Sequence, residues 1–301
     1  MRNHSSSLSS LSGTIAVLIC LVCTTACSQH SLPPPERIEL AAPVSVPIEL
    51  VYGLPILSAR LNGRGPFNFI LDTGAAGSVI GEKLAGEVRL PALGQANMGR
   101  PGSDQPLPAT VTRIEKIEIG GLTIDGASAV YADLSAVLKK VPNVQGVLST
   151  ALMPGILVSF NYPAKEIEFR RGELPPADGQ TIFEWSAKEK VSKLPVEVGS
   201  ENIRMQLDTG STSGFSVTAA LSRKLTWMEE PVEGDKNRTV DLESRAFTGR
   251  VKGSVRVGKF LFDNPLVQYS GDGLNTIGYD VLKNFVVTID AKNRRLELKG
   301  N

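Results

Sequence analysis

Apolar and polar positions alternate along most of the chain in short runs separated by Gly, Pro and Asn turns, which predicts β-strands joined by hairpins. Ile117-Glu118-Ile119-Gly120-Gly121-Leu122-Thr123-Ile124 alternates on both sides of a glycine pair, and Val255-Arg256-Val257-Gly258-Lys259-Phe260-Leu261-Phe262 has the same form. Helical character is confined to short candidates, residues 81–86 and 218–225. The pattern therefore predicts a mostly β chain with one or two helical turns in each half.

The order of these elements occurs twice. Phe69-Ile70-Leu71-Asp72-Thr73-Gly74-Ala75-Ala76-Gly77-Ser78-Val79-Ile80 returns as Met205-Gln206-Leu207-Asp208-Thr209-Gly210-Ser211-Thr212-Ser213-Gly214-Phe215-Ser216-Val217, each followed by one of the helical candidates. Each half then reaches an apolar pair, Leu148 before Ser149 in the first and Ile277 before Gly278 in the second. Each closes on a hairpin: residues 156–160 and 166–169 around the turn 162–165, then 285–289 and 295–298 around the turn 291–294. A duplication of this kind predicts two lobes, residues 48–173 and 182–301, joined by a polar, proline-bearing linker at 174–181 and related by a pseudo-twofold axis.

The N-terminus reads differently. Arg2 precedes a serine-rich stretch, an apolar core over residues 14–23, and then Thr24-Thr25-Ala26-Cys27. Charged, apolar and small residues in this order form a secretory signal peptide, and the apolar run is too short to cross a bilayer. Residues 24–27 resemble the lipobox of bacterial lipoproteins, in which the cysteine, here Cys27, is acylated. Thr24 replaces the usual leucine, so cleavage after Ala26 by an ordinary signal peptidase stays open beside the lipid-anchored form. Residues 28–47, with Pro33-Pro34-Pro35, Pro43 and Pro47, read as an extended tether holding the body away from a membrane.

Composition removes whole classes of chemistry from the remainder. His4, His30, Cys20, Cys23 and Cys27 are the only histidines and cysteines among 301 residues, so everything after His30 lacks both. Ser-His-Asp and Cys-His nucleophilic sites need an imidazole, and zinc sites draw largely on Cys and His. No metal and no cofactor are expected, disulfides within the body are impossible, and carboxylates are left as the acid–base candidates. Beyond Cys27 the 31 basic and 31 acidic residues cancel, so no nucleic-acid partner is indicated.

Asp72 and Asp208 are those candidates. An apolar run before each aspartate forms a strand that carries the carboxylate into the interior. Thr73 and Thr209 have hydroxyls that both donate and accept, and so can brace two loops against each other. Gly74 and Gly210 let the backbone turn tightly and bring an N–H to a carboxylate oxygen. Under a twofold axis the two aspartates face one another.

On these motifs the chain resembles the aspartic proteases of the pepsin and retropepsin clan from about Val51 to Leu298. Thr276-Ile277-Gly278 is similar to the second family signature, two hydrophobic residues and a glycine, and Leu148-Ser149 stands at that place in the first half with serine for glycine. The resemblance implies an all-β, bilobal acid-protease fold of two retropepsin-like barrels fused into a single-chain pseudodimer, and hence a monomer. It implies an aspartic endopeptidase in which Asp72 and Asp208 activate water against an extended peptide or protein substrate. Ser211 can offer Asp208 a hydroxyl that Ala75 cannot offer Asp72, so Asp208 is expected to be the ionised member. Flap candidates are residues 94–108 and 241–249. Two other classes stay open: a non-catalytic peptide-binding or scaffold lipoprotein of the same fold, and a glycosidase, which also uses two carboxylates. Location, on this reading, is the bacterial periplasm or cell envelope, with membrane attachment through Cys27.

Overall fold

The computed structural model describes residues 32–100, 103–139, 141–234, 237–238, 243–271 and 273–300. The signal segment with Cys27 lies outside the described residues, as do residues 101–102 of the first flap candidate and 241–242 of the second. Among the described residues strands dominate, and the helices are short: Glu82–Glu87, Ser135–Leu138, Ala219–Ser222 and Tyr279–Leu282, with one 3-10 turn at Thr150–Leu152. The second helix candidate ends at Ser222 rather than at residue 225. The Ser222 hydroxyl donates to the Ala219 carbonyl at 2.9 Å, a local bond that competes with continued helix.

Each half of the duplication builds a nine-stranded sheet, and a six-stranded sheet joins them. The joining sheet takes the closing hairpin of each half, Ile156–Asn161 with Glu166–Arg171 and Phe285–Asp290 with Arg295–Gly300. Ile156–Asn161 pairs antiparallel with Phe285–Asp290, and the register places Ser159 opposite Thr288. These two are 129 residues apart and their hydroxyls meet at 2.9 Å. Leu148 and Ile277 are separated by the same 129 positions, so Ser159 and Thr288 are counterparts in the duplication. A residue paired with its own counterpart marks the pseudo-twofold axis. The hairpin turns match as well: Lys165 and Arg294, again counterparts, both take left-handed φ, 52° and 54°.

The largest apolar core runs through both halves, from Leu71, Leu148 and Phe160 to Leu207, Ile277 and Leu296, all buried. A smaller cluster sits in the first half alone, where Ile56, Ile70, Ala75, Val79 and Val147 pack with Ala96, Met98 and Ala109. Ala96, Met98 and Ala109 belong to the long hairpin Gly94–Arg100 and Ser103–Ile119, which contains the first flap candidate.

The tether reading needs correction at its C-terminal end. Arg37–Glu39 pairs antiparallel with the strand Leu122–Ala132, and Val44–Pro47 pairs with Glu166–Arg171. Val44–Pro47 is the outermost strand of the joining sheet, where a proline removes no ladder bond that the sheet requires. Proline content alone suggested an unpacked segment, but alternation at Val44-Ser45-Val46 gives it one apolar edge, and Val46 is buried.

Candidate active site

Asp72 ends the strand Arg64–Asp72, and Asp208 directly follows the strand Glu201–Leu207. Each strand is flanked in parallel by the apolar pair of its own half, Leu148 opposite Leu71 and Ile277 opposite Leu207. Strands buried on both faces carry each carboxyl inward, and both aspartates have no exposed surface.

The two loops lock together reciprocally. The Thr73 hydroxyl donates to the Leu207 carbonyl at 2.8 Å and accepts from the Thr209 N–H at 3.0 Å. Thr209 returns both bonds, donating to the Leu71 carbonyl at 2.8 Å and accepting from the Thr73 N–H at 3.1 Å. Four buried bonds, each with its twofold mate, fix the separation and tilt of the loops. Gly74 N–H donates to Asp72 Oδ1 at 2.6 Å, and Gly210 N–H to Asp208 Oδ1 at 2.8 Å. A side chain at Gly74 is impossible, because its Cβ would stand 2.6 Å from the Asp208 carboxyl carbon.

The carboxyls themselves share a side-chain hydrogen bond. Burial raises Asp72 to about 6, against the pull of the Gly74 N–H and of the bond from Asp208. Asp208 is raised well above the ordinary range, first by burial and then by the charge of Asp72. Like charges this close do not both ionise at modest cost, so the pair keeps one proton and titrates as a unit. The Ser211 hydroxyl, the sequence-based reason for taking Asp208 as the ionised member, is engaged elsewhere: it bonds to Ser213 Oγ at 2.8 Å, within a chain that continues to Ser216 Oγ at 2.8 Å. The second oxygens, Asp72 Oδ2 and Asp208 Oδ2, are buried and accept no hydrogen bond from the described residues.

Serine at position 149 is accommodated by an exchange of roles between the halves. Its hydroxyl donates to the Ala75 carbonyl at 2.6 Å and accepts from the Ala151 N–H at 3.1 Å, while its own N–H donates to Ser78 Oγ at 2.9 Å. In the second half a Cβ on Gly278 would meet the Ser213 carbonyl at 2.6 Å and the Ser211 carbonyl and hydroxyl at 2.8 Å. One half thus combines Ala75 with Ser149, and the other Ser211 with Gly278. Each loop has one hydroxyl at this place and room for only one.

Two residues near the pair escaped sequence reasoning. Gln206, buried next to Leu207, bonds the Gly74 carbonyl at 3.3 Å through Nε2, and its side chain also donates to Asp208, holding that carboxyl down. Its counterpart is Ile70, so a polar residue inside an apolar run was the available signal. Tyr162 was read only as a turn residue. Its ring packs edge-on against Tyr279 at 5.4 Å, and its hydroxyl is buried without a partner among the described residues. Burial, followed by the charge of Asp208, pushes that phenol upward.

Comparison with known proteins finds both a family and a fold that the chain is similar to. Residues 57–152, most of the first lobe, match the aspartyl protease family. The fold matches the crystal structure of the aspartic proteinase from Irpex lacteus with a TM-score of 0.50 and 14% sequence identity, over 86% of this chain and 98% of that one. No curated protein sequence matches.

Proposed function

We propose that this chain, whose first lobe matches the aspartyl protease family and whose fold is that of a bilobal pepsin-like aspartic proteinase, is an endopeptidase whose reacting groups are Asp72 and Asp208. The observation that carries the reading is a pair of buried carboxyls held together on reciprocally braced loops. Ionised Asp72 takes a proton from water as the water oxygen bonds to the scissile carbonyl carbon. Protonated Asp208 gives its proton to the carbonyl oxygen, which lowers the cost of the charge developing there. The tetrahedral species collapses when the C–N bond breaks and the proton held by Asp72 passes to the leaving amine. The gem-diol proton returns to Asp208, and the starting pair is restored. Thr73, Gly74, Thr209, Gly210 and Ser211 hold the loops, and Leu148, Ser149, Ile277 and Gly278 support them from the adjacent strands.

An extended peptide crossing the pseudo-axis is the substrate class that fits, and a single chain supplies both carboxyls, so a monomer suffices. The order of residues 1–27 supports export and, at Cys27, a lipid anchor on the cell envelope. Cleavage of a peptide library by the purified chain tests the activity. Asp72→Asn and Asp208→Asn are each expected to abolish it. Cleavage that survives both substitutions refutes the assignment. A folded wild-type chain that binds peptides and cuts none favours the scaffold alternative.

A further inference from the structure

The duplication permits a direct comparison of the two sides of the cleft, because strand register identifies equivalent residues. In the first lobe a row crosses four adjacent strands: Ile70 opposite Val147, Val147 opposite Val79, and Val79 opposite Val130. In the second lobe the same row reads Gln206 opposite Thr276, Thr276 opposite Ser216, and Ser216 opposite Gln268. Four apolar residues have become four uncharged polar ones. The neighbours follow the same exchange, Ala75 to Ser211 and Ala132 to Ser270.

Both rows start at the reacting groups. Ile70 packs with Ala75, the residue after Gly74, beneath the hairpin that carries Ala96 and Met98. Gln206 touches Gly74 and Asp208 directly. The opposite faces of these same strands are apolar in both lobes and belong to the shared core, as Leu71 and Leu148 do in one and Leu207, Phe215 and Ile277 in the other. The chemical change is therefore confined to the face beside the carboxyls. Three of the four polar residues are also buried, Gln206 at 2% exposed, Thr276 at 5% and Gln268 at 7%, with Ser216 half-buried, where Ile70, Val147, Val79 and Val130 are all 0%. Burying polar groups is costly unless they are hydrogen-bonded, and the first lobe shows that the same backbone accepts an apolar row. A costly exception to local patterning beside a reacting pair is where function is expected.

A peptide that crosses a pseudo-twofold axis at its scissile bond sets the side chains on the two sides of that bond against equivalent faces of the two lobes. We propose that this cleft reads the two sides by opposite chemistry, an aliphatic side chain against the first lobe and an uncharged hydrogen-bonding one, Ser, Thr, Asn or Gln, against the second. The Ser211–Ser213–Ser216 chain and the amides of Gln206 and Gln268 provide donors and acceptors without a fixed charge, and each hydroxyl retains capacity for a further bond. The inference rests on the peptidase reading above.

A peptide library cleaved by the full chain, with the new termini identified by mass spectrometry, tests it. Aliphatic residues are expected on one side of the cut and Ser, Thr, Asn or Gln on the other, favoured over Leu by about tenfold or more. Gln206→Ile combined with Ser216→Val installs the first lobe's residues at two of the row's four positions. It is expected to erase that polar preference and leave the aliphatic side unchanged, a ratio that does not depend on the overall rate. Ser216→Val alone is expected to move the ratio the same way to a smaller extent. Aliphatic preference on both sides in the wild type, or a ratio unmoved by a folded variant, overturns the inference and leaves the peptidase reading standing. Absence of any cleavage overturns both.

Discussion

Replacing both aspartates by asparagine measures what the buried pair costs the fold. Asp72 rises from 3.8 to about 6, and Asp208 rises in the same direction. A carboxyl raised in this way binds its proton more tightly folded than unfolded, so its contribution to stability is complete below the unfolded value and is lost as pH climbs through the folded one. For Asp72 alone the loss by neutral pH is about 3 kcal/mol. Asp208 adds to it. In the Asp72→Asn, Asp208→Asn protein the amide oxygens still accept from the Gly74 and Gly210 N–H groups, so the geometry is retained while the titration is removed. Asp178, held well below the usual range by the N–H groups of Ile182, Thr181 and Gln180, titrates alike in both proteins and cancels in the difference. Urea unfolding of both proteins between about pH 3.5 and about pH 7 is the assay. The variant's lead is expected to widen by at least about 3 kcal/mol over that range, or about 6–12 °C in Tm. Parallel curves would refute the claim that burial holds the pair's proton.

Other outcomes follow from the same geometry. Thr209→Val leaves the Leu71 carbonyl and the Thr73 N–H unpaired in the interior and is expected to cost about 2 kcal/mol or more by urea midpoint, while Thr209→Ser keeps the hydroxyl and most of the stability. Gly278→Ser forces a Cβ onto the Ser213 and Ser211 carbonyls and is expected to destabilise by about 1–3 kcal/mol. Ser149→Gly, which removes a hydroxyl and crowds nothing, is expected to cost less, and the opposite order would contradict the exchange of roles between the lobes. For a cleaved peptide, kcat/KM is expected to rise through about 6 as Asp72 ionises and to fall where the pair loses its last proton, so an optimum well below 5 contradicts the site as described. Gln206→Leu removes a donor that favours the Asp208 anion, so the alkaline limb of that profile is expected to move to higher pH.

Much of the architecture was legible because it rests on local rules. Alternation marks the hairpins, Gly and Asn mark their turns, and the doubled Asp-Thr-Gly loop with its closing hairpin marks two lobes and an axis. What failed was local in another way. Proline content hid the strand Val44–Pro47, because an edge strand tolerates proline and composition does not distinguish an edge from a tether. The Ser211 hydroxyl was assigned to Asp208 because it follows the loop in sequence, yet in space it lies nearer Ser213. Tyr162, remote in sequence from both aspartates, had no signal at all.

Residue order alone therefore determined the repeated elements, the absence of His and Cys side chains from the body, and the two carboxyls proposed to act. Tertiary structure decided everything that depends on one half meeting the other: that the carboxyl pair is buried and holds on to a proton, how Ser149 is tolerated, and that the faces beside the two carboxyls differ. The physical reason is that desolvation and hydrogen bonding belong to the assembled interior. An aspartate in the chain is an ordinary acid until folding buries it against a second one.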